Sequence, residues 1–228
     1  MEEMAAFFAR RVEEYDRHMR EEVEGCREGY EKMARLLPET LSRLLDLGCG
    51  TGLELEAIFS RFPQLEVTAV DLSDAMLQKA RAKFPGRRLR LVQGDYLQED
   101  FGEENYDAAV SFQTLHHFDH DQKRALYTRI RRALKENGVY LEGDYMVERR
   151  EEEDAGFARS ARLRREQGIP EGTLLHLDTP CTVDTQIRLL REAGFSRVEN
   201  VFRRGNTTLL TALRQRQPAG LPNGGSSR

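Results

Sequence analysis

Between residues 41 and 145, short apolar segments of strand length alternate with longer segments whose apolar residues recur at helical spacing. The predicted strands are Arg43–Leu47, Glu66–Val70, Leu89–Val92, Asp107–Phe112 and Val139–Gly143. The predicted helices between them are Leu53–Arg61, Asp74–Phe84 and Asp121–Lys135. This alternation is typical of βαβ units, so it predicts an α/β fold with a parallel sheet and helices on both of its faces.

Helical patterns lie on both sides of this region. Apolar residues recur at helical spacing over residues 4–19, and a second helical stretch runs through Tyr30 to Leu37 before Pro38. We interpret residues 1–38 as an N-terminal helical cap. Residues 146–170 break the alternation, because seven consecutive charged residues run from Glu148 to Asp154. This stretch predicts a solvated helical insertion, which we extend to about residues 146–180.

The C-terminal part adds one more helix and two strands. A helix is predicted from Pro180 and Thr182 to Gly194, where glycine ends it. The strands Val198–Arg203 and Thr207–Leu213 flank a Gly-Asn dipeptide, so they predict a hairpin whose final strand runs antiparallel. We place the main domain at residues 39–213. Residues 214–228 are mostly Gln, Pro, Gly and Ser, and we expect a disordered tail.

Composition removes several functional classes. The 228 residues include 35 Lys and Arg against 39 Asp and Glu, a net charge of −4, which disfavours a nucleic-acid partner. No apolar run approaches the roughly 20 residues that span a membrane. The three cysteines, Cys26, Cys49 and Cys181, show no metal-ligand spacing, so no metal site is predicted. Reduced cysteines predict a cytoplasmic location.

The strongest chemical signal is a glycine-rich turn. Residues 44–52 read LLDLGCGTG, an apolar strand followed at once by a predicted helix. Glycines let a ligand lie against bare main chain, and the helix N-terminus offers free N–H groups. A dinucleotide site would need glycine where Leu53 stands. Because the carboxylate of Asp46 would repel a diphosphate, the turn suits a ligand with a positive group.

Two more acids end the next two strands. Asp71 closes the second strand and can accept hydrogen bonds from both hydroxyls of a ribose. Asp95 follows the third strand and can accept from the exocyclic amine of an adenine. An isolated Asp after a strand is commonly a turn or helix-cap residue. Here three acids end three successive strands, and the carboxyl edge of such a sheet is where ligands bind.

In this order, these motifs resemble class I S-adenosylmethionine-dependent methyltransferases over residues 41–145, and residues 183–213 resemble the family more loosely. The matching segments are DLGCGTG at 46–52, VDLS at 70–73 with Met76-Leu77, GDY at 94–96, YD at 106–107, SFQ at 111–113, LHHF at 115–118 and LKENG at 134–138. The resemblance implies a Rossmann-like, seven-stranded sheet, mostly parallel with an antiparallel last strand. This agrees with the predicted hairpin.

The resemblance also implies the cofactor, S-adenosylmethionine, with S-adenosylhomocysteine as its product. The residues implied for the methionine end are Asp46, Gly48, Cys49, Gly50 and Gln113. Those implied for the ribose and the adenine are Asp71, Leu72, Met76, Asp95 and Tyr96. The protein's main task in methyl transfer is to align the acceptor with the activated methyl group and to exclude water.

Candidate acceptor-side residues are fewer. His116 and His117 are the candidate catalytic residues, because imidazole can take a proton near neutral pH if the acceptor must lose one. Bonding to main chain in the loop after the fourth strand is their alternative role. Tyr15, Asp144 and Tyr145 are candidates for orienting the acceptor, with structural packing as the alternative.

The acceptor is predicted to be a small molecule. The helical cap and the insertion can together roof a pocket at the edge of the sheet. No Asn-Pro-Pro-Tyr-like motif of base or glutamine amino methylation follows the fourth strand. The alternatives are a tRNA or protein methyltransferase and a non-catalytic S-adenosylmethionine-binding protein. Leu53 disfavours a NAD-dependent oxidoreductase. The sequence leaves the oligomeric state open, with a homodimer as one possibility.

Overall fold

The computed structural model describes residues 2–170 and 172–215 and contains one mixed sheet of seven strands. The strands are β1 (Arg43–Leu47), β2 (Glu66–Asp71), β3 (Leu89–Gln93), β4 (Tyr106–Phe112), β5 (Leu134–Tyr145), β6 (Arg197–Arg204) and β7 (Thr207–Leu213). Their order is β3-β2-β1-β4-β5-β7-β6. Strands β1 to β5 are parallel, whereas β7 runs antiparallel to both β5 and β6. This confirms the predicted fold class and the C-terminal hairpin.

Seven helices and one 3₁₀ turn are described around the sheet. They are α1 (Met4–Glu21), α2 (Cys26–Leu36), α3 (Leu53–Arg61), α4 (Asp74–Lys83), the 3₁₀ turn (Leu115–His117), α5 (His120–Ala133), α6 (Arg150–Glu166) and α7 (Val183–Glu192). In the described part of the chain, no helix combines the length and apolar character needed to cross a membrane.

Alternating side chains of β1 fill two separate cores, one on each face of the sheet. Leu45 packs in a cluster with Ile130 of α5 and Leu189 of α7. Leu44 packs in a second cluster, which includes Met33 of α2 and Ile58 of α3. Successive strand residues point to opposite faces, so a strand buried on both faces reads as the continuous apolar run seen in the sequence.

Three helices, α4, α5 and α7, begin at side-chain caps. Ser73 accepts a hydrogen bond from the main-chain N–H of Met76 at the start of α4. Asp119 and Gln122 form a capping box at the start of α5. Thr182 accepts from the N–H of Thr185 at the start of α7. These caps fix where the turns between strand and helix end, and therefore the shape of the sheet edge.

One predicted boundary is wrong. The helix predicted to run to Lys135 ends at Ala133, and β5 begins at Leu134 rather than Val139. The carbonyl of Ala133 accepts a hydrogen bond from the N–H of Asn105, 2.8 Å away, which ends the helix. Leu134 then pairs with Tyr106 before a register shift. The apolar spacing continues through Leu134, so periodicity alone could not show this change.

The insertion contains one helix, α6, and it is mostly exposed, as its charge predicts. After it, residues 172–178 run beside the start of α1. The N–H of Met4 donates to the carbonyl of Leu174, and the N–H of His176 donates to that of Glu2. The predicted tail lies outside the described residues from position 216 onward. Arg214 is held by main-chain hydrogen bonds with Asn137 and Gly138.

Candidate active site

The glycine-rich turn connects β1 to α3 in a conformation that requires glycine. Gly48 has φ +70°, and a Cβ there would lie 2.2 Å from the Oγ1 of Thr114. The N–H groups of Gly48 and Cys49 both donate to the carbonyl of Val70, at 2.8 and 3.2 Å. Gly52, with φ +75°, caps α3. The turn therefore passes tightly between β2 and the loop after β4.

Two buried carboxyl groups lie under this turn. Asp46 is completely buried, and its carboxyl group contacts the carboxyl group of Glu54, which is 3% exposed. No other hydrogen-bond partner of the Asp46 oxygens lies among residues 2–170 and 172–215. Burial raises the pKa of Glu54 to about 8 and the pKa of Asp46 well above its usual value, where the Glu54 charge adds to the effect. Sequence reasoning missed Glu54, which follows the glycines on the first turn of α3.

Asp71 is fixed by the main chain around it. Its two oxygens accept hydrogen bonds from the N–H groups of Gly50 and Ser73, both at 2.8 Å. Burial raises the pKa of Asp71, against the lowering effect of these N–H donors. Each carboxylate oxygen has a second lone pair, so Asp71 can still accept from ribose hydroxyls. That contact stays a prediction.

The residues predicted for the adenine lie beyond Asp71. Met76 and Tyr96 are buried, and Leu72 packs against the core of the α5 face. The Oδ1 of Asp95 accepts a hydrogen bond from the N–H of Leu97 at 2.9 Å. This oxygen therefore has the turn role that is the alternative to ligand binding. The hydroxyl of Tyr96 hydrogen-bonds the Oγ1 of Thr114 at 2.7 Å. This links the cofactor side to the loop after β4.

A cavity of about 630 Å³ lies beside the glycine-rich turn. Five residues predicted from the sequence line it: Tyr15, Gln113, His116, His117 and Tyr145. Its outer wall comes from α1 and residues 172–178, which Glu3 and Leu175 join through a β-bridge. The volume falls in the range of roughly 300–1,000 Å³ that is usual for small-molecule sites.

Two of these residues connect the cavity to the glycine-rich turn and the sheet. The ring of Tyr15 lies 3.7 Å from the position that a Cβ on Gly50 would take. Burial, followed by the charges of Glu54 and Asp71, raises the pKa of Tyr15, so its phenol stays protonated. Gln113 has φ +52°, and its amide nitrogen donates to the Oγ1 of Thr207 at 3.2 Å. The predicted contact of Gln113 with the methionine end stays a prediction.

Asp144 lies behind His116 rather than in the cavity wall. The Oδ1 of Asp144 is 2.6 Å from the Nδ1 of His116, and it also accepts from the N–H of Tyr145. Asp144 is 2% exposed. We predicted that Asp144 orients the acceptor, and its position means that it can do so only through the His116 ring. In a neutral ring, a proton on Nδ1 faces this carboxylate, and Nε2 then carries the lone pair.

Asp178 and His176 complete the imidazole cluster, and sequence reasoning missed both. The Oδ1 of Asp178 is 3.2 Å from the Nδ1 of His117 and 3.7 Å from the Nε2 of His116. Burial and the adjacent His116 lower the pKa of His117 to about 4. The ring of His176 stacks on Phe7 at 3.5 Å. The signal in the sequence was a His-x-Asp pair just before a helix start, inside the segment predicted to roof the pocket.

Comparisons with known proteins agree with this arrangement. A family profile described as a methyltransferase domain matches residues 44–138. A carboxy-S-adenosyl-L-methionine synthase of Wolinella succinogenes is 31% identical over 181 residues, which cover 73% of this chain and 74% of the relative. A malonyl-[acyl-carrier protein] O-methyltransferase of Priestia megaterium is 34% identical over 93 residues, 41% of this chain and 32% of the relative.

Solved structures share the fold at low sequence identity. An O-methyltransferase family protein of Burkholderia thailandensis has a TM-score of 0.69 at 20% identity, over 93% of this chain and 63% of that one. Human N-acetylserotonin methyltransferase, solved with S-adenosylmethionine, has a TM-score of 0.66 at 16% identity, over 93% of this chain and 57% of that one. At these identities the likeness shows the fold alone.

Proposed function

The chain belongs to the class I S-adenosylmethionine-dependent methyltransferase family, and we propose that its methyl acceptor is a small molecule bound in the cavity beside the glycine-rich turn. It is an S-adenosylmethionine-dependent methyltransferase. The observation that carries the proposal is the cavity itself, whose volume of about 630 Å³ suits a small organic molecule. Helix α1 and residues 172–178 form the outer wall of this cavity.

The residues under the glycine-rich turn fit the cofactor. S-adenosylmethionine supplies a methyl group already activated on a positively charged sulfur, and it carries an ammonium group as well. Two buried carboxyl groups that contact each other, such as Asp46 and Glu54, are costly to ionise without a positive partner. A cationic ligand beside Gly48–Gly50 supplies that partner. We assign the methionine end to this turn and the ribose to Asp71.

His116 and His117 are our candidates for the catalytic pair. Both rings line the cavity, and Asp144 fixes the orientation of His116 through its Nδ1. The Nε2 lone pair of His116 is therefore held in one position. Tyr145, whose ring centroid lies 5.8 Å from that of His116, limits where an acceptor atom can approach. We propose that this pair positions the acceptor atom that receives the methyl group.

Helix α1 contributes by excluding water. The Nζ of Lys79 on α4 donates to the carbonyl of Val12 on α1, at 2.5 Å. Asp16 on α1 pairs with Lys83 on α4, 2.5 Å away. These contacts hold α1 across the helix that follows Asp71, so Tyr15 stays over the glycine-rich turn. Water excluded from this space would otherwise compete for the polar groups around the reacting atoms.

The test is transfer of an isotopically labelled methyl group from the cofactor into a metabolite extract, followed by mass spectrometry. We expect a labelled product of low molecular mass that is absent with a Gly48→Ala variant. Label in the RNA or protein fraction would contradict the small-molecule acceptor. Absence of label from every fraction, with the cofactor bound, would contradict catalysis of methyl transfer. The same spectra report whether the cofactor itself gains a carboxyl group, as the name of the Wolinella succinogenes relative suggests.

A further inference from the structure

We propose that His116, His117 and Asp178 form a binding site for a first-row divalent transition-metal ion at the wall of the cavity. One nitrogen of each ring and one oxygen of Asp178 lie within 4.8 Å of one another. The Oδ1 of Asp178 is 3.2 Å from the Nδ1 of His117 and 3.7 Å from the Nε2 of His116. Ligands at about 2.1 Å from one tetrahedral Zn²⁺ ion are about 3.4 Å apart, which is close to these two separations.

Two of the three ligand atoms contact only other members of the cluster. The Nδ1 of His117 and the Oδ1 of Asp178 are both buried, and they contact each other at 3.2 Å. His117 itself is 9% exposed. A cation between them would replace only this mutual contact, and it would satisfy a lone pair of each atom at once.

The contact behind His116 has the arrangement expected of a metal ligand. A metal-bound imidazole almost always gives its second ring N–H to a carboxylate or carbonyl, which fixes the tautomer and the ring plane. The Nδ1 of His116 lies 2.6 Å from the Oδ1 of Asp144, a buried carboxylate. The Nε2 on the other side of the ring is then the free donor. Asp144 and Asp178 together balance the charge of a divalent ion.

The donor set selects the metal. Two imidazoles and one carboxylate suit Zn²⁺ and the neighbouring transition ions, whereas Mg²⁺ prefers oxygen ligands. Three protein ligands leave at least one coordination position open, as in catalytic rather than structural zinc sites. His116, His117 and Asp178 all line the cavity, so the open position faces it. This last point rests on the proposed function: an oxygen atom of the acceptor is the ligand that we expect there.

A second group of potential ligands shows what a satisfied cluster looks like. His120, Glu153 and Cys181 also lie close together. Glu153, however, bonds both the His120 ring and the N–H of Thr182, at 3.0 and 2.7 Å. The Nζ of Lys123 lies 3.3 Å from the sulfur of Cys181. Because this group already has hydrogen-bond partners and an adjacent ammonium, it provides a matched control in the same protein.

The test is metal binding by the full-length protein, after chelation, in the absence of cofactor and acceptor. Zn²⁺ is titrated against a chromophoric competitor, and Co²⁺ is used for its visible absorption. We expect one ion per chain, with Zn²⁺ bound far more tightly than Mg²⁺. Replacing either His117 by Ala or Asp178 by Asn should weaken Zn²⁺ binding more than about 100-fold, and Asp144→Asn should weaken it about 10- to 100-fold. The control variant His120→Gln should bind Zn²⁺ like the wild type.

Several outcomes would overturn the site. Zn²⁺ binding that is unchanged in both His117→Ala and Asp178→Asn would do so, as would binding lost in His120→Gln instead. Thermal melting of each variant shows whether it folds, and the half-exposed Asp178 should tolerate Asn even if His117→Ala unfolds. The metal titration contains no acceptor, so its result does not depend on whether the labelling screen finds one. Full turnover by the metal-free enzyme would overturn only the acceptor contact.

Discussion

The two halves of the active site are built in different ways. The cofactor half comes mainly from one stretch of chain, β1 to the loop after β3, and Gln113 after β4 is its one predicted residue outside that stretch. Its key observed polar contacts use main-chain groups. Asp71, for example, is held by the N–H groups of Gly50 and Ser73. The acceptor half brings together α1, the 3₁₀ turn, the end of β5 and residues 172–178. Its contacts, such as His116 with Asp144, join side chains from distant segments.

This difference predicts which property each half controls. The cofactor half binds through the main chain of the turn and through carboxylates such as Asp71, so changes there should alter cofactor affinity first. Side chains in the acceptor half bind directly, and the buried Oδ1 of Asp178 contacts only His116 and His117. Changes there should alter turnover and metal binding while cofactor affinity stays close to the wild-type value. Single substitutions in each half can test this separation.

The largest effect is expected from Gly48→Ala, because Gly48 lies where the halves meet. A Cβ would lie 2.2 to 2.8 Å from three atoms of Thr114, at a φ of +70°. Overpacking costs about 1–3 kcal/mol, and the left-handed conformation about 1–2 kcal/mol more. Relieving this strain moves the turn away from its binding position. We expect the affinity for S-adenosylhomocysteine, measured by calorimetry, to fall about 100-fold or more.

Gly86→Ala is the matched control for this substitution. Gly86 has φ +75°, but no atom lies within 4 Å of the position of its Cβ. The variant carries the same backbone penalty without the clash, so cofactor affinity should be unchanged. Equal affinities for Gly48→Ala and Gly86→Ala would mean that the contact with Thr114 does not shape the turn.

Asp144→Asn should have the next largest effect, on turnover rather than on affinity. The carboxylate is buried and lies 2.6 Å from the Nδ1 of His116. An amide of the same shape can no longer fix the tautomer of the ring as an anion does. We expect turnover of the acceptor found in the labelling screen to fall about 10- to 100-fold. The affinity for S-adenosylhomocysteine should stay within about twofold, and a parallel loss of affinity would contradict the separation of the two halves.

The same contrast explains how much could be read from the sequence. The cofactor half was predictable because strand, glycines and acid follow one another at fixed spacing. The seven-stranded fold followed from the alternation of apolar patterns, and the structure confirms it. Even here Glu54 was missed, since an acid on the first turn of a helix reads as a favourable helix residue. Its burial against Asp46 depends on the tertiary structure and leaves no mark in the local sequence.

The contacts of the acceptor half could not be predicted from the sequence, for a physical reason. His116 and His117 stood out as residue types, but their partner Asp178 lies about 60 residues further along the chain. No spacing rule connects them, because the contact depends on how residues 172–178 return to the start of α1. Neither the cysteines nor any Cys/His cluster shows metal-ligand spacing in the sequence, which therefore predicts no metal site. A cluster assembled by long-range packing leaves no local pattern.

Asp71→Asn should show a smaller effect, confined to the cofactor half. An amide keeps one oxygen acceptor but loses the charge and places an NH₂ group near an N–H donor, either that of Gly50 or that of Ser73. Charge-assisted hydrogen bonds are worth about 1.5–3 kcal/mol, and part of this is retained. We expect the affinity for S-adenosylhomocysteine to fall about 10-fold. Calorimetry showing an unchanged affinity would remove Asp71 from the ribose site.

The smallest effect is expected far from both halves, at Asp107, and it concerns stability alone. Asp107 lies near the start of β4, where it accepts from the N–H groups of Ser42 and Arg43 and pairs with Lys135. Although partial burial opposes it, Lys135 and Ser42 lower the pKa of Asp107 to about 2.

A carboxyl whose pKa is lowered on folding stabilises the protein above its unfolded pKa, near 4, and loses that contribution as the pH falls toward 2. After discounting for solvent screening, Asp107→Asn should reduce the free energy of unfolding by about 1 kcal/mol at pH 7. Urea unfolding at pH 7 and pH 3 measures this, and the difference from wild type should shrink at pH 3. Cofactor affinity and turnover at pH 7 should both be unchanged. A loss of either would mean that this end of the sheet is coupled to the active site, and that the two halves are not independent of the scaffold beneath them.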